Sequence, residues 1–376
     1  MAWAPARAGA GRRPLRARYA RTDWGLFVAA LGLSLVGALL VWSATRADVG
    51  TALAVRHLVN AAIGLALALA LVAVDVRRLR AAAPWIYLAG IVGLLLVLSP
   101  LGQTVNGSRS WLFLPGGFSL QPAELAKIGL VIGLAMLLAE GRDPLRPPQG
   151  RDVVLAWAVA ALPVGLIVLQ PDLGSALVLG MLTLGIVASS GAAWRWSAAA
   201  LTATVAAVVA AVRVPLLDPY QVDRLLAFRD PMLDPEGIGY QTRQVRLAIG
   251  SGGWTGAGLG QGPQTQGGFV PYQHTDFVFS VAGEELGFVG AVGLLLLLGF
   301  LVVRALLVGL RCEDSFGRLV AVGVGAWFAF QVFENVGMAL GLMPVTGLPL
   351  PFLSYGGSSM LACWLAVGLV ACAQQD

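Results

Sequence analysis

The chain has 376 residues, 57% of them hydrophobic and only 12% charged, with a formal net charge of +5. A soluble domain carries about a quarter charged residues, so this composition excludes one and points to lipid as the solvent. In lipid only helices or closed barrels satisfy the backbone. Barrel strands alternate apolar and polar residues over about ten positions. The long unbroken apolar runs here predict instead an all-α integral membrane protein of about ten transmembrane helices.

In chain order, residues 1–22 read as a basic cytoplasmic tail with Arg7, Arg12, Arg13, Arg16, Arg18 and Arg21. It is not read as a signal peptide, because the apolar run that follows is long enough to span and no cleavage site follows it. The polytopic domain is expected over 23–376. Spans of about 20 apolar residues are predicted near 24–44, 58–75, 84–100, 122–140, 152–169, 174–191, 193–213, 277–308, 317–342 and 354–373. Arginines follow the second, fourth and sixth spans (Arg77, Arg78, Arg80, Arg142, Arg146, Arg151, Arg195) and flank the turn after the eighth (Arg304, Arg311, Arg318). The alternate short loops hold only Arg46, Arg56 and Arg109. By the positive-inside rule both termini are expected in the cytoplasm, and the one long connection, 214–275, outside. That large extracellular loop has the pairs Asp230-Pro231 and Asp234-Pro235, a short amphipathic helix from Gln241 to Ile249, and a glycine-rich run from Gly250 to Gly268. With Trp254, Phe269 and Tyr272 it reads as an ordered, membrane-hugging loop.

Charges inside spans are functional hypotheses by default. Glu124 and Lys127 are three residues apart on one helix face, and Lys127 is the only lysine of the chain. They read as a polar pocket near the outer end of the fourth span or as an ion pair that lets the helix insert. Gln170-Pro171-Asp172 is a tight turn in which Asp172 reads as an N-cap. Asp276, in His274-Thr275-Asp276-Phe277, opens the eighth span beneath the long loop, as a second N-cap or as a reactive carboxylate. Glu284 and Glu285 lie two turns further along that helix. The segment Pro344–Ser359 is uncharged and rich in Pro and Gly, which fits a re-entrant segment or a packing turn. Two distant histidines make no zinc site, and a P-loop and a serine elbow are both missing. Cys312, Cys363 and Cys372 have no metal-site spacing and read as small apolar fillers.

These pieces, in this order, resemble the SEDS family, which includes RodA, FtsW and a sporulation relative. The strongest likeness is Asn335–Ser359, with its Asn, its Pro344-x-x-Gly347 step and its Ser354-Tyr355-Gly356-Gly357-Ser358 tail. Gly107–Lys127, with Trp111 and Gln121-Pro122-Ala123-Glu124, is a second. Gln170-Pro171-Asp172-Leu173-Gly174, Ala248–Gly253, and His274–Phe277 with Gly283–Gly287 complete the set. Two departures from the family pattern occur. Ser110 stands where a basic residue often precedes the tryptophan, and Gly267-Gly268 stand where Leu-Glu is common.

The resemblance implies a ten-helix fold and a peptidoglycan glycosyltransferase that polymerises lipid II outside the cytoplasmic membrane, partnered by a class B penicillin-binding protein. The short tails lean towards RodA, the elongation member. Such chemistry needs a base for the acceptor hydroxyl and cations for a pyrophosphate leaving group. Asp276 is therefore expected as the base. Arg109, Trp111, Glu124, Lys127, Asp172, Arg246, His274 and Ser354 are expected at the substrate, with Arg224 and Arg243 as further cations on that side. The α-linked donor and β-linked product imply inversion. No cofactor is assigned, and a divalent cation stays open. The expected partners are lipid II, the penicillin-binding protein and membrane lipid, with no nucleic acid. A lipid II flippase and a non-catalytic scaffold of the cell-wall complex are the alternative readings.

Overall fold

The computed structural model describes residues 15–105, 107–114, 118–139, 148–213 and 237–375. Arg142, Arg146, Arg224 and the two Asp-Pro pairs lie outside them. Among the described residues ten long helices occur: α2 (Trp24–Val49), α3 (Ala52–Val72), α4 (Val76–Leu98), α5 (Pro122–Ala139), α6 (Gly150–Val168), α7 (Leu173–Ser189), α8 (Trp194–Arg213), α11 (Val278–Arg311), α12 (Ser315–Leu340) and α13 (Gly357–Ala373). Each overlaps one predicted span. Seven of the described helices are long and apolar enough to cross a membrane, while α7 and α13 are shorter apolar helices. The chain is a multi-pass membrane protein.

Three shorter helices lie among the described residues: α1 (Leu15–Arg21), α9 (Ile238–Ser251) and α10 (Pro263–Gln266). Helix α9 extends the amphipathic segment expected at 241–249. It buries Ile238, Thr242, Val245 and Ala248 and leaves Arg243, Arg246 and Leu247 exposed. The main boundary differences come from polar residues that hydropathy excludes. Helix α3 begins six residues before its apolar run, because Arg56 and the buried His57 lie inside the helix. Helix α4 takes in Arg77, Arg78 and Arg80, with the Asp75 side chain accepting from Arg77 N.

Between α4 and α5 the chain forms an element not expected, an antiparallel sheet of β1 (Gln103–Val105), β2 (Ser108–Leu114) and β3 (Phe118–Leu120), in the order β1-β2-β3. Its strands are far shorter than a 20-residue hydropathy window, and alternation in Ser108-Arg109-Ser110-Trp111 lasts only four residues.

Close approach organises the bundle. Helix α13 packs along α3, α4 on α5, and α12 on both α11 and α7. A Cβ on Gly64 would lie 2.6 Å from Trp364 Cδ1, and one on Gly368 would lie 2.8 Å from Ala68 Cα, so α3 and α13 meet only because both are glycine. At the end where α1 and the last turn of α13 lie, Arg304 donates to Asp23 at 2.6 Å, Arg80 pairs with Asp314 at 2.7 Å and Arg18 with Asp75 at 3.3 Å.

At the opposite end, α11 is interrupted at Gly287 (φ 67°, ψ −168°). The break frees the carbonyls of Glu284 and Glu285 and the amides of Phe288 and Val289. The glycine-rich loop takes all four: Ala257 N and Gly258 N donate to the carbonyls, while Gly253 O and Trp254 O accept from the amides. Both carboxylates hold the same loop. Glu284 accepts from Gln264 N, Thr265 N and Thr265 Oγ1 at 2.6–2.8 Å, and Glu285 from Gly260 N at 3.0 Å and Ser43 Oγ at 2.6 Å. The expected glycine run is thus a segment joined into a broken helix.

The segment 342–356 is re-entrant. A Cβ on Gly37, halfway along α2, would lie 2.7 Å from Phe352 O, and Gln331 Nε2 of α12 donates to Pro349 O at 2.6 Å. Gln331 is nine residues before the end of its helix, or about 14 Å of helical rise. Val345, Leu348, Leu350, Phe352 and Leu353 are buried, so the uncharged loop lies in protein and not in lipid.

Candidate active site

A cavity of about 650 Å³ opens where α5, α7, α9, α11 and α13 begin. Its wall includes Gln121 and Glu124 of α5, Asp172 and Ser175 of α7, and Ile238 and Gln241 of α9. Asp276 stands two residues before α11, and Gly356 and Ser359 bracket the start of α13. Strand β2 contributes Ser108, Ser110 and Trp111, and the re-entrant segment contributes Val345–Pro349 and Tyr355. The N-terminal ends of five helices therefore face one space. Helix N-termini carry partial positive charge and unpaired N–H groups, which suits the three carboxylates present and would also suit an anionic ligand.

Four of the sequence-predicted residues meet here: Asp276, Trp111, Glu124 and Asp172. Asp172 caps α7 as expected, accepting from Ser175 N at 3.0 Å, and its other oxygen accepts from Gln121 Nε2 at 3.3 Å. Glu124 pairs with Lys127 at 2.6 Å, one turn deeper in α5. Lys127 Nζ also donates to Gln331 Oε1 at 3.3 Å and lies 5.1 Å from the centre of the Trp327 ring. Lys127 is buried beneath the cavity wall and not on it.

The other predicted residues lie elsewhere. Arg109 turns back to the end of α4, donating to Ser99 O at 2.7 Å and Gly102 O at 3.3 Å. Arg246 is exposed and reaches Gly341 O at 3.4 Å. Neither arginine lines the cavity, and among the described residues no cavity-lining side chain is cationic. Ser354 is buried, donates to Thr275 O and accepts from Leu350 N at 2.8 Å, so its hydroxyl serves the backbone. His274 is half-buried against Tyr355, with ring centres 6.0 Å apart. Burial lowers its pKa from the usual imidazole value, opposed by the charge of Asp48.

Polar residues that sequence reasoning did not single out as site residues also line the space, among them Ser175, Gln241, Thr346, Tyr355 and Ser359. Thr346, Tyr355 and Ser359 lie in the uncharged loop, which was a usable signal; Gln241 had none. Among the described residues no group of three or more His, Cys, Asp or Glu is placed to hold a metal ion.

The cell cycle protein family that groups FtsW, RodA and SpoVE matches residues 22–376. The chain belongs to that family. It is 36% identical over 340 residues to the peptidoglycan glycosyltransferase MrdB of Escherichia coli K12, covering 90% of each chain. It is 41% identical over 319 residues to a probable peptidoglycan glycosyltransferase FtsW of Halorhodospira halophila, covering 84% of this chain and 79% of that one. The crystal structure of Thermus thermophilus rod shape determining protein RodA superposes with a TM-score of 0.70 at 36% identity, over 94% of this chain and 97% of that one. A chain from a study of how a peptidoglycan synthase complex coordinates polymerization and crosslinking superposes with a TM-score of 0.80 at 39% identity, over 94% and 98%. The FtsW/RodA likeness spans the cavity and all five helix starts around it.

Proposed function

We infer that this chain is a peptidoglycan glycosyltransferase, and propose that it polymerises lipid II into glycan strands at the outer face of the cytoplasmic membrane, with Asp276 as general base. The carrying observation is the carboxylate of Asp276 on the wall of a cavity rimmed by five helix starts. Asp276 accepts the proton of the acceptor's 4-hydroxyl. That oxygen attacks the anomeric carbon of the donor from the face opposite the pyrophosphate. The bond to pyrophosphate breaks, polyprenyl pyrophosphate leaves, and the α-linkage becomes β. With Arg109 and Arg246 turned away, the leaving group's charge meets helix N-termini, with Lys127 behind them.

Both termini are then cytoplasmic and the 237–277 region external, as the arginine distribution requires. A flippase would need a polar path through the bundle, yet the buried carboxylates of Glu284 and Glu285 hold the loop and Glu334 accepts from Thr346 of the re-entrant segment. We assign the chain to elongation, on its likeness to RodA.

The partner is proposed to be a single-span class B penicillin-binding protein that docks along the exposed face of α11, where Val289, Gly293, Leu296, Phe300 and Val303 recur at helix-pairing spacing. Of the glycines on α11 and α12 that could admit a partner, Gly323 and Gly325 pack inside the bundle and Gly287 forms the helix break, while Gly293 faces open space.

The test is purified full-length protein given labelled lipid II. Glycan strands are expected, and Asp276→Asn should reduce their rate by about 10²–10⁴-fold while the protein stays folded. Translocation without polymer would favour a flippase, inactivity with the partner present a scaffold, and an active Asp276→Asn would remove the base.

A further inference from the structure

Residues 274–276 are held through three consecutive carbonyls. His274 O accepts from Tyr355 N at 2.9 Å, Thr275 O from Ser354 Oγ, and Asp276 O from Asn335 Nδ2 at 2.8 Å. Two of these donors belong to the re-entrant segment. The third belongs to α12, and the same Asn335 Nδ2 also donates to Leu348 O at 2.7 Å.

Asn335 is fully buried. Its amide nitrogen has two N–H groups, and both are used, one on each side of the cavity wall. Its Oδ1 has no hydrogen-bond partner among the described residues. Buried amides normally satisfy both ends, so the donors set this side chain's orientation. Gln331, one turn earlier on the same helix face, donates to Pro349 O, and Glu334, the residue before Asn335, accepts from Thr346 Oγ1. Asn335 bridges the re-entrant segment to residue 276.

The spacing it sets is tight. A Cβ on Gly347 would lie 3.5 Å from Asp276 Oδ2, and Gly347 has φ +77°, a conformation that favours glycine. The carboxylate and the turn at Gly347 are thus adjacent walls of one cavity.

We propose that Asn335 is the positioning residue for Asp276, a role that rests on Asp276 being the base. Its two donated bonds fix the distance between the Asp276 backbone and the re-entrant wall of the cavity. A carboxylate at 335 has the same shape but offers no N–H, and a serine offers one donor and falls short. Loss of the clamp leaves the base chemically intact and misplaced, so turnover should fall without a matching change in substrate affinity.

The test compares wild type with Asn335→Ala, Asn335→Asp, Ser354→Ala and Asp276→Asn as purified full-length proteins. Polymerisation of labelled lipid II is followed against substrate concentration and pH, and folding by size-exclusion profile and thermal melting. Asn335→Ala and Asn335→Asp should lose about 30–100-fold in kcat, with KM within about twofold. The acid limb of the pH–rate profile should stay where it is in wild type. Ser354→Ala, which removes a neighbouring rung, should lose about tenfold in kcat on the same geometric ground.

An Asn335→Ala enzyme with kcat within about threefold of wild type would overturn the proposal, as would a raised KM at unchanged kcat, which marks a substrate contact. Aggregation of both Asn335→Ala and Ser354→Ala would also overturn it, since the clamp would then hold the fold and not the aspartate. An active Asp276→Asn sinks the base assignment itself, whereas an inactive Asp276→Asn beside a fully active Asn335→Ala sinks only the positioning role.

Discussion

Replacing Lys127 by Met tests the deepest charged contact of the site. Lys127 and Glu124 are 0% and 1% exposed, with Nζ 2.6 Å from Oε1. At that distance the attraction is about 6 kcal/mol at an effective dielectric of about 20. Desolvation of two buried charges offsets most of it. Removing only the lysine is different, because Glu124 then stays buried with no countercharge, and its Oε2 already has no hydrogen-bond partner among the described residues. The expected loss is about 3–5 kcal/mol, or roughly 5–15 °C in apparent melting temperature. Gln331 Oε1 keeps its bond from Trp327 Nε1 at 2.6 Å, so the damage should centre on Glu124. Thermal melting in detergent, read by size-exclusion, is the assay. Adding Glu124→Gln to Lys127→Met should recover most of the loss, because neither group is then a charge. A single variant within about 1 kcal/mol of wild type, or a double variant no better than the single, would refute the buried-pair reasoning on the scale expected for coupled residues.

Gly287→Ala places a Cβ against Gly256 N at a positive φ, so backbone strain alone should cost about 1–3 kcal/mol, and limited proteolysis should cut 252–266 faster. Gly293→Leu should leave melting unchanged but weaken copurification with the single-span partner. Gly323→Leu, whose Cβ would lie 2.7 Å from Ile186 Cδ1, should fail to fold, and equal behaviour of the two would place the partner elsewhere. Asp75 caps α4, and the Arg77 amide, joined by Arg18, lowers its carboxyl pKa from the usual value. A depressed folded-state pKa gives stability that is full above the unfolded value and lost as pH falls through the folded one. Asp75→Ala should therefore cost about 1 kcal/mol near neutrality, with the gap to wild type closing below about pH 4. A gap as wide at pH 3 as near neutrality would show that the cap does not act through its charge.

Much of the fold was legible because transmembrane helices are written in long apolar runs, and all ten predicted spans overlap a helix. The caps at Asp172 and the helical pairing of Glu124 with Lys127 were also legible, since both depend on residues three apart in one helix. The sheet at 103–120 was not, because its strands are shorter than any hydropathy window and depend on their partners. Arg109 and Arg246 were expected at the substrate for their charge, but charge does not say where a long side chain turns. Each found backbone carbonyls just past the end of a helix not its own, Arg109 beyond α4 and Arg246 beyond α12.

Composition and motif order alone determined that this is a helical membrane protein resembling the SEDS family, with a carboxylate at the start of its eighth span. Local periodicity suffices for that, because each helix satisfies its own backbone in lipid. Only the tertiary structure decided that five helix starts share one cavity, that the glycine run splices into a broken helix, and that Asn335 and Ser354 hold the chain around Asp276. The splice and the clamp join residues 27 to 79 positions apart through single hydrogen bonds to backbone groups. A backbone carbonyl is the same whatever its residue, so nothing in the sequence marks which one a distant donor will find.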